Sequence, residues 1–231
     1  MSYPGGTVGG VYEEWNSVLP HVVAWRSVTP PGSSSKRILP DGCLDLIWQD
    51  GTVFVAGPDT TAQVGLPSPG SRYAALRFGA GTGPGVLGVP ACELVDRRVP
   101  LDALWPPAEV RAIAEADDPV IALTAAASRR WQGADRAMLA LAAAARAGLP
   151  VGSAAQWCGL SARQLQRRSN IAVGYGPKTL HRILRLQRAV ALARAGQPFA
   201  TVSADAGYAD QAHLAREVRA LSGVSLSALL R

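Results

Sequence analysis

Gly207-Tyr208-Ala209-Asp210-Gln211-Ala212-His213-Leu214-Ala215-Arg216 repeats, with one residue inserted, the pattern of Gly159-Leu160-Ser161 followed by Leu165-Gln166-Arg167. The likeness runs outward from there. Ala154-Ala155-Gln156-Trp157-Cys158 precedes the first copy, a segment opening at Val202 precedes the second, and Gly174 and Gly223 close them. Gly159 maps to Gly207 at an offset of 48, whereas Leu165, Arg167 and Gly174 map to Leu214, Arg216 and Gly223 at 49, so the insertion falls in the second turn.

Each copy has the marks of two short helices joined by a sharp turn. A glycine lets the chain leave the first helix through the left-handed region. A side chain able to cap then opens the second: Ser161 with Gln164 three residues on, a capping-box spacing, and Asp210 in the other copy. Leu165 and Leu214 fall four residues after those caps and face inward. The outward positions are Arg163, Gln164, Gln166, Arg167 and Arg168 in one unit, and Gln211, Ala212, His213, Ala215 and Arg216 in the other. Arginine pairs with guanine O6 and N7, and glutamine with adenine N6 and N7, so such a helix suits a major groove. Asp210 reads as a cap rather than a base reader. His213 has two readings, a phosphate contact or packing beside the Tyr208 turn.

Between the copies, Pro177 suits the first turn of a helix in which Leu180, Ile183, Leu184 and Val190 form an apolar stripe, closed by Gly196. About nineteen residues at 1.5 Å each span roughly 28 Å, close to the roughly 34 Å of one duplex turn. Lys178, Arg182, Arg185 and Arg188 supply backbone-directed charge along it.

Charge divides the chain in the same place. Residues 130–231 carry fourteen Arg/Lys against four Asp/Glu, a net of +10, and residues 1–129 a net of −4, together the +6 of the whole. The basic half suits a polyanion. Taken singly, each of its arginines could be no more than a solvated helix face.

Upstream, from Val18 to Phe78, short apolar runs (Val22–Trp25, Cys43–Trp48, Thr52–Val55, Tyr73–Phe78) alternate with turns such as Pro30-Pro31-Gly32, Pro40-Asp41-Gly42, Gly57-Pro58-Asp59 and Pro67-Ser68-Pro69-Gly70. That rhythm predicts strands. After Trp105-Pro106-Pro107, Ala-rich segments at 109–116, 120–131 and 135–147 predict helices. The expected fold is α+β: an N-terminal antiparallel β sandwich or barrel, then an all-α domain with two helix-turn-helix units on a long helix. The domains are a β-rich sensing domain at 1–106, a helical connector at 107–133 and a DNA-binding domain at 134–231.

These C-terminal residues resemble the DNA-binding domain of AraC/XylS-type transcription regulators. The resemblance rests on Gly159-Leu160-Ser161, Leu165-Gln166-Arg167-Arg168, Gly174-Tyr175-Gly176-Pro177-Lys178, Arg185-Leu186-Gln187-Arg188-Ala189 and the stretch from Gly207 to Leu214. It implies base contacts from Arg163, Gln166, Arg167, Gln211 and Arg216. Ser169 and Val218 depart from a usual Phe, and Leu226 from a usual Pro. Leu39 to Trp48, Gly57-Pro58-Asp59-Thr60 and Gly88 to Leu94 resemble an N-terminal domain of some regulators of this type, with a general similarity to cupin-like sensing domains.

In the β-rich half, Asp45, Trp48 and Arg77 either line a ligand pocket, or Asp45 and Arg77 form a structural pair. Cys43 and Cys92 read as buried small side chains, a metal or redox role being the alternative. A cupin-like enzyme would need several histidines, and the chain has His21, His181 and His213, of which His21 alone lies in this half. No enzyme activity, metal or cofactor is therefore expected. A non-specific architectural binder is disfavoured by the base-reading amides. Three cysteines without paired spacing, and a Gly-rich start from Met1 to Gly10 with no apolar leader, point to the cytoplasm. The expected partners are duplex DNA, RNA polymerase and a small-molecule effector, with no membrane, for a monomer or homodimer.

Overall fold

The computed structural model describes residues 12–33, 35–65 and 68–231. Met1 to Gly10 and Pro67 of the expected fourth turn lie outside the described residues. Among the described residues, eight strands form first: β1 (Tyr12–Asn16), β2 (Val22–Val28), β3 (Lys36–Ile38), β4 (Leu44–Gln49), β5 (Thr52–Ala56), β6 (Gln63–Gly65), β7 (Arg72–Phe78) and β8 (Arg98–Pro100). Six make one antiparallel sheet in the order β1-β2-β7-β4-β5-β8, while β3 and β6 pair as a separate ribbon. The runs at Val22, Leu44, Thr52 and Arg72 alternate because successive strand residues face opposite sides. Val22, Ala24, Leu44, Leu46, Trp48, Val53, Val55, Leu76 and Phe78 are buried on one side. A slip of one residue would turn this set outward, so the register is fixed by burial.

That side is covered by α1 (Gly83–Leu87), α2 (Pro107–Ala114) and α3 (Pro119–Arg130), whose Val86, Leu87, Ile113, Leu123, Ala126 and Ala127 join the same core. Asp118 caps α3 by accepting from Val120 N and Ile121 N. Among the described residues, the further helices are α4 (Arg136–Arg146), α5 (Val151–Trp157), α6 (Ala162–Val173), α7 (Pro177–Arg194), α8 (Phe199–Asp205), α9 (Gln211–Ser222) and α10 (Leu226–Leu229). An antiparallel β region is thus followed by a helical one.

The helical region has two cores, and α7 belongs to both. Its Leu180, Ile183 and Leu184 pack with Met138 and Leu141 of α4 and Leu165 of α6. Further along, its Leu186, Ala189, Val190 and Ala193 pack with Val202 of α8 and Leu214, Val218 and Leu221 of α9. The three positions that depart from the usual pattern fit these cores: buried Ser169 donates to Tyr175 O at 2.7 Å, and Val218 and Leu226 sit within the second.

Two expectations in the β-rich half are corrected. Asp45 and Trp48 are three residues apart, an odd number, so they face opposite sides of β4 and cannot share a pocket. Asp45 sits opposite Arg77 and Trp48 opposite Ala74. Arg77 Nε lies 3.1 Å from Asp45 Oδ1 and 3.8 Å from Asp41, and Trp25 Nε1 donates to Asp45 at 3.0 Å. Burial pushes the Asp45 carboxyl up, and Arg77 opposes this. The structural pair is therefore the reading that stands. Cys43 is buried, but Cys92 is exposed. It occupies the middle of a single 3-10 turn, Ala91–Glu93. Residues three apart eclipse in such a turn, so Ala91 and Leu94 face in and Cys92 faces out.

Candidate nucleic-acid interface

The repeat in the sequence becomes a repeat of helices. α5 and α8 have seven residues each, and α6 and α9 have twelve. The intervening turns pass through Gly159 at φ 62° and Gly207 at φ 80°, where a Cβ would be strained. Ser161 Oγ accepts from Gln164 N at 3.3 Å, and Gln164 Oε1 accepts from Ser161 N at 2.8 Å, which completes the capping box. Asp210 Oδ1 accepts from His213 N at 2.6 Å. The longer second turn carries Tyr208, whose buried ring lies 4.4 Å beneath the Arg185 guanidinium and edge-on to His213 at 5.3 Å.

Leu165 and Leu214 are each 2% exposed, as their spacing requires. Arg163, Gln164, Gln166, Arg167, Arg168, Gln211, Ala212, Ala215 and Arg216 are exposed, and His213 is half-buried. These side chains fall into two groups. Arg163 and Gln211 stand in the first turn, and Arg167 and Arg216 near the middle, of α6 and α9 with no hydrogen bond or ion pair to another described side chain, and Lys178 is likewise open at the start of α7. The others are engaged. Gln164 closes the capping box, Gln166 Nε2 donates to Asn170 Oδ1 at 3.2 Å, and Arg168 Nε is 2.6 Å from Asp135 Oδ2. Asp135 also caps α4 through its other oxygen, accepting from Ala137 N and Met138 N. His213 packs on Tyr208, and its Nδ1 accepts from Ala209 N at 3.3 Å.

Glu217 is a fastening residue that the sequence reading did not single out. Arg182 donates to it from Nε at 2.9 Å and from NH2 at 3.1 Å, and Arg185 NH2 adds a contact at 3.5 Å. Arg185 NH1 also donates to Gly207 O at 3.3 Å. These two arginines of α7 thus fasten the second turn and α9 to the shared helix. The hydrogen bonds from Arg182 hold the Glu217 carboxyl below its usual range, against the effect of burial. A signal was present in the sequence: Glu217 is the single carboxylate of α9, in a region otherwise suited to phosphate.

Two family models match separate parts of the chain. Residues 154–231 match the helix-turn-helix domain model, and residues 19–100 match a domain of unknown function, DUF6597. With two helix-turn-helix units on one shared helix over those residues, the C-terminal part of this chain is a DNA-binding helix-turn-helix domain of the AraC type. Three crystal structures of ToxT from Vibrio cholerae are similar at low identity. ToxT from strain O395 is 8% identical over 90% of this chain and 96% of that one, with a TM-score of 0.44. Wild-type ToxT from strain SCE256 bound to an unsaturated fatty acid is 10% identical over 90% and 94%, with a TM-score of 0.45. The O395 protein bound to a methylnaphthalenyl butenoic acid is 9% identical over 90% and 97%, with a TM-score of 0.46. No curated protein matches the chain. Among the described residues, no helix is long and apolar enough to cross a membrane, and no three His, Cys, Asp or Glu side chains gather as a metal site.

Proposed function

We propose that the chain regulates transcription by binding particular duplex sequences, with α6 and α9 each entering a major groove and residues 134–231 serving as the DNA-binding domain. The observation that carries this reading is the exposed pair Arg167 and Arg216, at equivalent places in the repeat and unpartnered among the described residues, with Arg163 and Gln211 likewise open near the starts of the same two helices. Arg167 and Gln211 read base edges, and Gln166, engaged only by an exposed hydrogen bond to its helix neighbour Asn170, is a further contact. Lys178 meets phosphate. Gln164, Arg168, Arg182 and His213 act by holding the helices, since each is already engaged within the protein.

Selection from a random duplex pool, followed by fluorescence anisotropy, tests the reading. Specific sites are expected to bind at roughly nanomolar levels or tighter, with affinity falling steeply as salt rises. Arg167→Ala and Gln211→Ala each relax sequence preference by about 1–3 kcal/mol. Equal affinity for all duplexes at moderate salt would overturn sequence specificity.

Residues 1–106 form the sensing domain and 107–133 its helical connector, acting in the cytoplasm on RNA polymerase as a monomer or homodimer. A groove of about 890 Å³ between the sheet and α3, lined by Trp15, Trp48, Tyr73, Val120 and Ile121, is the effector site. Its size and apolar lining suit a small molecule. Binding of anilinonaphthalene sulfonate, lost in Trp48→Ala and coupled to DNA affinity, is the expected result. An unchanged dye signal in that variant would remove the groove from the reading.

A further inference from the structure

The helix α7 already joins the two helix-turn-helix units on one side. A second connection runs through the β-rich half on another. The loop after β5 places Pro58 against the end of α6: a Cβ on Gly174 would come within 2.7 Å of Pro58 Cγ and 2.8 Å of Val95 Cγ2. Four residues on, Ala62 N donates to Leu221 O at 2.7 Å, at the end of α9. From β3, Arg37 NH1 donates to Ser222 O at 2.7 Å and sits 3.4 Å from a Cβ built on Gly223. Gly174 and Gly223 are equivalent positions of the repeat, so one loop and one arginine grip the same point on both units.

The chemistry of these contacts is strong. The last carbonyls of a helix lack internal partners and carry partial negative charge, which a guanidinium satisfies better than water does. The loop is itself held firm. Asp59 pairs with Arg98 at 2.9 Å, and Asp96 accepts from Thr60 N at 2.7 Å and from Thr60 Oγ1 at 2.6 Å. Midway along α7, Gln187 Nε2 donates to Pro40 O at 2.6 Å, and Leu39 packs against the second helical core.

We propose that residues 57–62 together with Arg37 form a strut that sets the angle between the two recognition helices, making Arg37 a positioning residue for simultaneous engagement of two half-sites. This rests on the DNA-binding reading above. A rigid pair binds its second half-site as an intramolecular event, and a pair free to swivel loses that advantage. The β-rich half thereby bears on DNA affinity without touching DNA.

The test uses the full chain, the variants Arg37→Ala and Thr60→Val, and a duplex selected by the wild-type chain, alongside the same duplex with one half-site scrambled. In the free protein, Arg37→Ala should speed amide hydrogen exchange at residues 219–223 by about tenfold, the worth of one charge-assisted hydrogen bond. Thr60→Val should speed it at 58–62 and again at 219–223. Both variants should bind the two-site duplex about tenfold more weakly, yet the scrambled duplex within about twofold of wild type. Unchanged exchange at 219–223 would overturn the strut, and so would an equal loss on both duplexes. Faster exchange with undiminished two-site binding would overturn its positioning role. If the wild-type chain selects no sequence, the DNA reading fails while the exchange data still decide whether the strut exists.

Discussion

Replacing Glu217 with alanine removes the group that ties α9 to α7. The carboxylate accepts two hydrogen bonds from Arg182 and approaches Arg185, and the three side chains are 19%, 43% and 17% exposed. A hydrogen bond to a charged partner contributes about 1.5–3 kcal/mol when well shielded. Solvent reaches Arg182, so its share is near the lower end, whereas the shielded Arg185 would lose its carboxylate and keep only Gly207 O and the Tyr208 ring. The expected loss is about 2 kcal/mol, and in a chain of this length each kcal/mol shifts Tm by about 2–4 °C, giving about 4–8 °C in calorimetry at neutral pH. The sign with pH follows from the depressed carboxyl. Its stabilisation is present above the ordinary glutamate range near 4.5 and is lost as pH falls through the folded value, so the gap between wild type and variant closes on acidification. A double-mutant cycle with Arg182→Ala isolates the pair. A Tm shift under about 1 °C, or a coupling below about 0.5 kcal/mol, would refute the assignment of Glu217 as the fastening of α9.

Two other sites give independent checks. Ser161→Ala opens the capping box at the head of α6 and should cost about 1 kcal/mol, seen as a fall of about 2–4 °C in Tm; an unchanged Tm would mean that the box contributes nothing. Glu109 is held at about 2, from an ordinary 4.5, first by hydrogen bonds from Arg130 and then by those from Arg129. The strap it makes between α2 and α3 is fully formed above about pH 4.5 and weakens as the pH falls toward about 2. Glu109→Gln should therefore lower the urea midpoint at pH 6 and flatten its decline toward pH 3, and parallel curves for the two proteins would rule this out.

The repeat, its caps and its turns were legible because each is local. A glycine leaves a helix, a Ser or Asp captures an amide three residues on, and a leucine four residues after the cap faces in. Strand alternation is equally local, and the odd spacing of Asp45 and Trp48 already separates them across the sheet. Cys92 looked like a buried thiol until the single 3-10 turn around it set which neighbours face in.

From the residues alone came two helix-turn-helix units, the shared helix between them, the β-rich half ahead of them and the concentration of positive charge behind. Tertiary structure decided which arginines remain available. Arg163, Arg167 and Arg168 are alike on paper, yet Arg168 meets Asp135 from 33 residues away, and Arg182 meets Glu217 from 35 away. Arg37 reaches Ser222 across 185 residues. Caps and periodicities are written in neighbours along the chain, whereas an ion pair depends on distance in space, which only the packing of α4, α7, α9 and the β3–β6 ribbon sets.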